Sequence, residues 1–174
     1  WDEATRAMID AARTLETGGA DFIVICTNTM HKMADAVSAS IHIPLLHIAD
    51  AATESIHAQG LTKIGLLGTR FTMEEDFYKR RLTDKYGLEV IVPEATDRAI
   101  INRVIYEELG IGKFLPESKA EYVRIINELA ARGAQGIILG CTEIGLLVKQ
   151  TDCSVPLFDT TLLHAEAAVE YALK

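Results

Sequence analysis

A repeated segment is the feature of this sequence that most constrains its fold. Residues 19–28 read GADFIVICTN, and residues 133–143 read GAQGIILGCTE, which is one residue longer. Each copy leads from a glycine into a short apolar run, a pattern typical of a strand buried on both faces of a parallel sheet. A second strand pattern follows each copy, at residues 43–48 and 155–158. The repeat therefore predicts two similar lobes of alternating strands and helices.

Strand and helix patterns alternate along the whole chain. Strands are expected at residues 21–26, 43–48, 63–67, 88–92, 136–140 and 155–158. Helices are expected at residues 4–15, 30–40, 49–58, 73–86, 98–109, 117–132 and 162–174. Such alternation produces parallel sheets with right-handed crossovers. We therefore predict an α/β protein with two lobes related by a pseudo-twofold axis, each a parallel four-stranded sheet with helices on both faces.

The repeat also suggests where the lobes divide. We assign residues 61–158 to the second lobe, and residues 1–60 together with 159–174 to the first. In the second lobe the repeated segment begins at residue 133, far beyond the opening strand, whereas in the first lobe it begins at residue 19. We therefore expect the first lobe to be truncated at its N-terminus by roughly 50 residues, its opening strand included.

Charge and cysteine content exclude several classes of partner and site. With 17 basic and 25 acidic residues the chain has a formal charge of −8, which disfavours nucleic acid. No apolar run is long enough to span a bilayer and no leader pattern opens the chain, so we expect a cytoplasmic protein without membrane contact. Three cysteines without close pairing disfavour a disulfide framework, and the spacing of cysteines and histidines predicts no metal site.

Two of the three cysteines occupy equivalent positions of the repeat. Cys26 and Cys141 each end a buried strand and precede a threonine, at the carboxyl edge where parallel sheets bind ligands. A pseudo-twofold axis between the lobes would turn the two thiols towards each other across a cleft. A thiolate at a helix N-terminus is stabilised and serves as a base, while an opposite thiol returns a proton. This arrangement inverts a stereocentre, whereas Cys153 is expected to be an inert apolar side chain.

The segments around these cysteines resemble a known family. Residues 26–32, CTNTMHK, and residues 140–144, GCTEI, are similar to the two signature motifs of the aspartate/glutamate racemases, and the resemblance extends over essentially the whole chain. It implies two α/β lobes with a catalytic cysteine on each and a PLP-independent reaction without any cofactor. It also implies a small acidic amino acid as the partner, and it is compatible with a homodimer.

The resemblance assigns roles to individual residues. Cys26 and Cys141 are implied as the pair that removes and returns the proton. Substrate contacts are implied for Thr27, Asn28, Thr29, Thr69, Thr142 and Glu143. Each of these six polar residues also has a purely structural interpretation, as a helix cap or as an acid that complements a helix dipole. We expect Lys113 to lie in a solvated loop and His31 on the surface of a helix. We expect His47 to lie at the end of a strand and to be hydrogen-bonded there.

Three functional hypotheses remain open from the sequence. The first is a racemase that interconverts the L and D forms of aspartate or glutamate by a two-cysteine mechanism. The second is a related cysteine enzyme that resembles the maleate isomerases, with covalent addition, or the arylmalonate decarboxylases, with one proton-donating thiol. The third is a non-catalytic two-lobed protein whose Cys-Thr turns bind an anion. Replacement of each cysteine by serine distinguishes the three.

Overall fold

A computed structural model describes all 174 residues, in nine α-helices and six β-strands. The elements of the first 75 residues are α1 (Asp2–Thr17), β1 (Ile23–Val24), α2 (Ala34–Ser38), β2 (Leu45–Leu46), α3 (Ile48–Ala58), β3 (Lys63–Gly68) and α4 (Arg70–Glu74). The remaining elements are α5 (Asp76–Arg80), β4 (Glu89–Ile91), α6 (Ala95–Glu107), α7 (Pro116–Ala131), β5 (Gly136–Gly140), α8 (Ile144–Leu147), β6 (Leu157–Asp159) and α9 (Thr160–Ala172). None of the helices combines the length and the apolar character needed to cross a bilayer.

The strands form two parallel sheets. One contains β1 and β2, and the other has four strands in the order β4-β3-β5-β6. Every neighbouring pair in the larger sheet is parallel, and β5 is buried along its full length. The prediction of a parallel α/β fold is therefore confirmed. The division of the chain into lobes at residue 61 stays a prediction.

Helices cover both faces of the four-stranded sheet. Alternate residues of β3 and β5 point to opposite faces, as the pleat of a strand requires. Leu67, Ile137 and Leu139 pack with α6, α7 and α8. The other face packs with α3, α5 and the chain that follows α5. A smaller core joins α1 to the two-stranded sheet and α2.

Two helices connect the sheets. Although α3 directly follows β2 of the small sheet, it packs on the large sheet through Ile48, Ala49 and Ile56. In turn α9 directly follows β6 of the large sheet, yet it contacts β2 and lies along α3. Each of the two helices therefore contacts the sheet to which its preceding strand does not belong, and α9 also contacts β5 and β6 of the large sheet.

The central strands β3 and β5 approach each other closely where they end. A Cβ atom added at Gly140 would lie 2.6 Å from the Leu67 carbonyl oxygen, and one at Gly68 would lie 2.8 Å from the Gly140 oxygen. Only glycine is small enough for such backbone contact. The paired glycines therefore fix the spacing of the two strands immediately before Cys141.

The helix expected at residues 73–86 is wrong in one respect, because the chain breaks at Glu75. This residue has an extended backbone, with ψ 158°, and separates α4 from α5. Its carboxylate lies 2.5 Å from Lys32 Nζ, an ion pair that connects the break to the chain before α2. Beyond α5 the chain continues in a π-helical turn over Arg81–Lys85. Such long-range pairing leaves no local pattern in the sequence.

Two further local expectations are corrected. The helix expected from residue 30 begins as a 3-10 turn over Thr29–Met33, and only then becomes α2. The short helix α8 is absent from the expected ranges, because four residues are too few to show a helical period, although the helix-dipole interpretation of Glu143 implied a helix after it.

Candidate active site

Cys26 lies at the apex of a tight turn just beyond β1. The Thr27 N–H donates to the Ile25 carbonyl oxygen across 2.9 Å, which closes a three-residue turn around the cysteine. Ile25 is buried in the molecule, whereas Cys26 is exposed. The turn therefore anchors the chain on one side and presents the thiol on the other.

The polar residues after Cys26 reach across to the larger sheet. Asn28 Nδ2 donates to Thr160 Oγ1 at 3.0 Å, and that hydroxyl donates to the Leu139 carbonyl oxygen at 2.8 Å. Thr29 Oγ1 lies 2.9 Å from Thr69 Oγ1. The structure therefore brings three of the six residues implied as substrate contacts into one hydrogen-bonded region at the carboxyl ends of both sheets.

The interpretation of these polar residues as helix caps is wrong for residues 27–29 and correct for Thr69. No side chain of residues 27–29 caps the 3-10 turn or α2, so that interpretation is wrong for them. Thr69 does cap α4, since its hydroxyl accepts the Thr72 N–H at 3.3 Å. It does so while it also contacts Thr29.

Asn28 has one acceptor without a partner in the protein. The residue is 2% exposed, and its Oδ1 atom makes no hydrogen bond although Nδ2 is bonded to Thr160. An unpaired buried acceptor costs free energy, and such atoms are rare in folded proteins. This oxygen is therefore an unpaired buried acceptor two residues from Cys26.

Cys141 is held in its protonated form by its surroundings. Burial and the hydrogen bond from Cys141 Sγ to Glu143 Oε2, at 3.0 Å, raise the pKa of the thiol to about 12. The same carboxylate oxygen accepts the Thr142 hydroxyl at 2.6 Å. Burial opposes ionisation of Glu143, but these two hydrogen bonds outweigh it and lower the pKa of the carboxyl group. Glu143 is therefore an acceptor, and Cys141 is a proton donor.

One cavity joins the two copies of the repeat. It has a volume of about 190 Å³ and a mainly apolar lining. The residues that line it are Val24, Cys26, Ile48, Thr142, Thr161, His164, Ala165 and Ala168. Cys26 thus lies on the same cavity as Thr142, the neighbour of Cys141, and α9 supplies one wall. A small molecule in this space contacts both halves of the repeat.

Other residues singled out from the sequence lie elsewhere or behave differently. Lys113 is exposed on the loop between α6 and α7, as expected for a solvated lysine. Cys153 is half-buried beside the core between the large sheet and α7. His47 caps α3 by accepting the Ala49 N–H, in agreement with a hydrogen-bonded strand end. The helix-surface expectation for His31 is wrong, because this residue is only 3% exposed.

Sequence reasoning did not assign roles to Thr160 and His164. Both lie on α9, far along the chain from Cys26, and both contact the region of the site. The sequence contains one signal for these two residues. A second strand follows each copy of the repeat, and the helix after that strand begins at the same edge of the sheet as the Cys-Thr pair. Nothing local to α9 marks these two residues.

The chain is similar to known proteins over most of its length. A family model described as Asp/Glu/Hydantoin racemase matches residues 1–168, which include both cysteines. The chain is 27% identical over 168 residues to a broad specificity amino-acid racemase, RacX, of Bacillus subtilis, and the match covers 97% of this chain and 72% of that protein.

Solved structures of similar proteins have the same fold. A candidate Asp/Glu racemase from Yersinia pestis is 56% identical, with a TM-score of 0.94 over 100% of this chain and 76% of that one. An aspartate racemase homologue from Pyrococcus horikoshii is 40% identical, with a TM-score of 0.87 over 98% of this chain and 74% of that one. The chain belongs to the Asp/Glu/hydantoin racemase family.

Proposed function

We propose that this protein is a racemase of an acidic amino acid, aspartate or glutamate, and that Cys26 and Cys141 exchange the α-proton without a cofactor. The cavity between the two copies of the repeat carries the proposal, because Cys26 and Thr142 line it together. Family membership and the names of the similar proteins support an amino-acid substrate.

The proposed reaction uses the two thiols in different protonation states. From one enantiomer, the Cys26 thiolate removes the proton on Cα, and the electron pair of that C–H bond remains on the substrate. The Cys141 thiol then donates its proton to the opposite face of Cα. Cys26 ends as a thiol and Cys141 as a thiolate, so the other enantiomer reacts by the same steps in reverse.

Glu143 supports the role of Cys141 in this sequence. Its carboxylate accepts a hydrogen bond from the Cys141 thiol. This bond contributes to the raised pKa of Cys141, which keeps the thiol protonated in the free protein. An anion beside a buried thiolate is unfavourable. The thiolate formed by proton donation is therefore a strong base that is rapidly reprotonated, by solvent or by substrate of the opposite hand.

The polar residues at the strand ends are suited to bind the substrate's charged groups. Asn28 Oδ1 has no partner in the protein and would accept a hydrogen bond from an ammonium group that reaches it; Asn28 itself is not among the residues that line the cavity. The hydroxyl groups of Thr29 and Thr69 are bonded to each other, so the one that accepts in this bond is suited to donate to a carboxylate. Thr142 lines the cavity, while its neighbour Glu143 is occupied by Cys141.

The test is serine replacement of each cysteine, with racemisation and solvent-deuterium incorporation at Cα measured on L- and D-aspartate and L- and D-glutamate. We expect Cys26→Ser and Cys141→Ser each to abolish racemisation, whereas the matched control Cys153→Ser keeps it. A single variant that retains a near-parental rate would favour a one-cysteine enzyme. Binding of a dicarboxylate without deuterium exchange in the parent protein would favour an anion-binding protein.

A further inference from the structure

Both ring nitrogens of His31 are engaged by the backbone. Nδ1 lies 2.8 Å from the carbonyl oxygen of Thr27, and Nε2 lies 3.1 Å from the backbone nitrogen of Ile48. A backbone N–H only donates, so Nε2 must be the acceptor. Nδ1 therefore carries the hydrogen and donates it to Thr27. The geometry requires one neutral tautomer of the ring.

The bond to Thr27 acts on the turn that presents Cys26. The Thr27 N–H is already bound to the Ile25 carbonyl oxygen. With His31 bound to its carbonyl, both backbone polar groups of Thr27 are fixed. The peptide groups on either side of Thr27 therefore cannot rotate without the loss of one of these hydrogen bonds.

The other end of the His31 ring is attached to a rigid element. Ile48 is the first residue of α3, and it is buried against the four-stranded sheet. His47 caps the same helix, and its ring centroid lies 4.3 Å from that of His31. The ring of His164 lies 5.9 Å away, and its Nε2 donates to the Leu46 carbonyl oxygen. His31 thus has little freedom to move.

The ring stays neutral in this environment. Burial lowers the pKa of His31 to about 4. The tautomer that the two hydrogen bonds need is therefore present at neutral pH.

We propose that His31 is a positioning residue for Cys26: its Nδ1–H holds the Thr27 carbonyl so that the thiol keeps a fixed place at the cavity, and the Ile48 amide bound at Nε2 selects the neutral tautomer that carries this hydrogen. The proposal rests on the proposed function, since it assumes that Cys26 exchanges the substrate proton. His31 does not line that cavity, and its effect on the reaction passes through the backbone of Thr27.

Two substitutions separate the two hydrogen bonds. In His31→Asn the amide nitrogen occupies the place of Nδ1 and keeps the donor to Thr27, but the acceptor for Ile48 is lost. In His31→Gln the amide oxygen reaches the place of Nε2 and keeps the acceptor, but the donor to Thr27 is lost. The matched control is His47→Asn, which alters the same cluster and the cap of α3 without a bond to the Cys26 turn.

The readouts are kcat and KM for racemisation, amide hydrogen exchange of a peptide that covers residues 22–30, and the thermal midpoint. For His31→Gln we expect kcat to fall about 10- to 100-fold with KM within about twofold, because small misplacement of a reacting group has effects of this size. Exchange in the peptide should be at least about tenfold faster, since the turn loses its anchor. For His31→Asn and His47→Asn we expect kcat within about threefold of the parent, even where the thermal midpoint falls.

The outcomes are distinguishable. If kcat falls by the same factor in the Asn and Gln variants, and the thermal midpoint falls in both, then His31 only stabilises the fold. Faster exchange in His31→Gln with an unchanged kcat would show that the turn need not be held, and would also overturn the proposal. If His31→Gln does not fold, His31→Asn decides: a kcat within about threefold of the parent together with unchanged exchange in the peptide that covers residues 22–30 supports the proposal, and a larger loss of kcat with the Thr27 donor retained overturns it. Failure of the proposed function is detected separately, because the Cys26→Ser variant would then still racemise the substrate.

Discussion

At the scale of single residues, the carboxylate of Glu143 controls the protonation of one thiol of the pair. It accepts the Cys141 hydrogen at 3.0 Å and contributes, after burial, to the raised pKa of that thiol. The two cysteines are equivalent in the repeat, but only Cys141 has an acid bonded to it. Their chemical reactivities are therefore expected to differ.

Replacement of Glu143 by glutamine tests this difference. Without the anion we expect the pKa of Cys141 to fall, and each unit of fall raises the thiolate fraction about tenfold. Iodoacetamide should then alkylate Cys141 at least about threefold faster, while the rate at Cys26 is unchanged. Peptide mass spectrometry measures both rates in one sample, with the exposed Glu166→Gln as control. An unchanged Cys141 rate would mean that burial alone holds the proton.

Two fully buried tyrosines offer a second residue-scale prediction. The Tyr122 hydroxyl donates to the Ile101 carbonyl oxygen at 3.1 Å, whereas the Tyr78 hydroxyl has no partner in the protein. We expect Tyr122→Phe to lower the free energy of unfolding by about 1 kcal/mol, and Tyr78→Phe to leave it unchanged or raise it. Urea denaturation of both variants checks this, and equal losses would contradict it.

At this scale the reactive residues could be identified from the sequence better than the contacts between residues. Cys26 and Cys141 were recognisable because they end repeated strands, and Thr69 because it follows another. The contact between Thr29 and Thr69 could not be derived, because it depends on where α4 places its cap relative to the 3-10 turn. The burial of His31 was hidden for the same reason, since a 3-10 turn directs side chains differently from an α-helix.

At the scale of elements, the close contact of β3 and β5 makes a prediction about Gly140. A Cβ atom there meets the backbone of Leu67, which cannot move without separation of the strands. At Gly65 the nearest atom is the end of the Ile137 side chain, which is flexible. We therefore expect Gly140→Ala to be the more harmful of two alanine substitutions in the same pair of strands.

The magnitude follows from the cost of overpacking. Gly140→Ala should lower the free energy of unfolding by about 2 kcal/mol or more, and Gly65→Ala by about 1 kcal/mol. Because residue 140 precedes Cys141, we also expect kcat for racemisation to fall in Gly140→Ala alone. Urea denaturation and initial rates measure the two effects. Equal effects of both substitutions would show that the strands tolerate separation at the site.

Element boundaries were predictable where local patterns set them. The buried strands β3 and β5 lie within one residue of the expected ranges, because a run of apolar residues between polar ends marks them. The two-residue strands β1 and β2 are shorter than the apolar runs that contain them, because the small sheet pairs over only two positions. The break at Glu75 depends on Lys32, a residue more than forty positions away.

At the scale of the whole molecule, three buried histidines lie where the two sheets meet. Burial lowers the pKa of His31 to about 4 and that of His47 to about 2, and it also lowers the pKa of His164. Each ring donates to or accepts from backbone of the small sheet, its loops or α3. The contact between the sheets therefore depends on uncharged rings.

This cluster predicts how stability changes with pH. In the unfolded chain a histidine takes up a proton near pH 6.5, whereas in the folded protein these rings resist protonation until a lower pH. The unfolded state therefore binds more protons below pH 6.5, and stability falls as the pH falls towards 4. His31 and His47 each contribute about 1.4 kcal/mol per pH unit in that range, and His164 adds to the fall in the same direction.

Urea denaturation between pH 7.5 and pH 5 measures the slope. We expect His31→Asn to reduce it, because asparagine does not titrate, and His57→Asn, at an exposed position of α3, to leave it unchanged. Equal slopes in the parent and His31→Asn would mean that the cluster opens to solvent before it is protonated.

The packing of α3 on the large sheet and of α9 against β2 has a consequence for a chain that is cut between these two helices. A cut in the exposed turn at residue 60 would separate residues 1–60, which carry α3, from residues 61–174, which carry α9. The larger fragment keeps the core between the large sheet and α6, α7 and α8, but the other face of that sheet loses Ile48, Ala49 and Ile56, and the smaller fragment loses the contact of β2 with α9. The two halves are thus complementary pieces, and they are expected to reassemble when they are mixed rather than to fold apart.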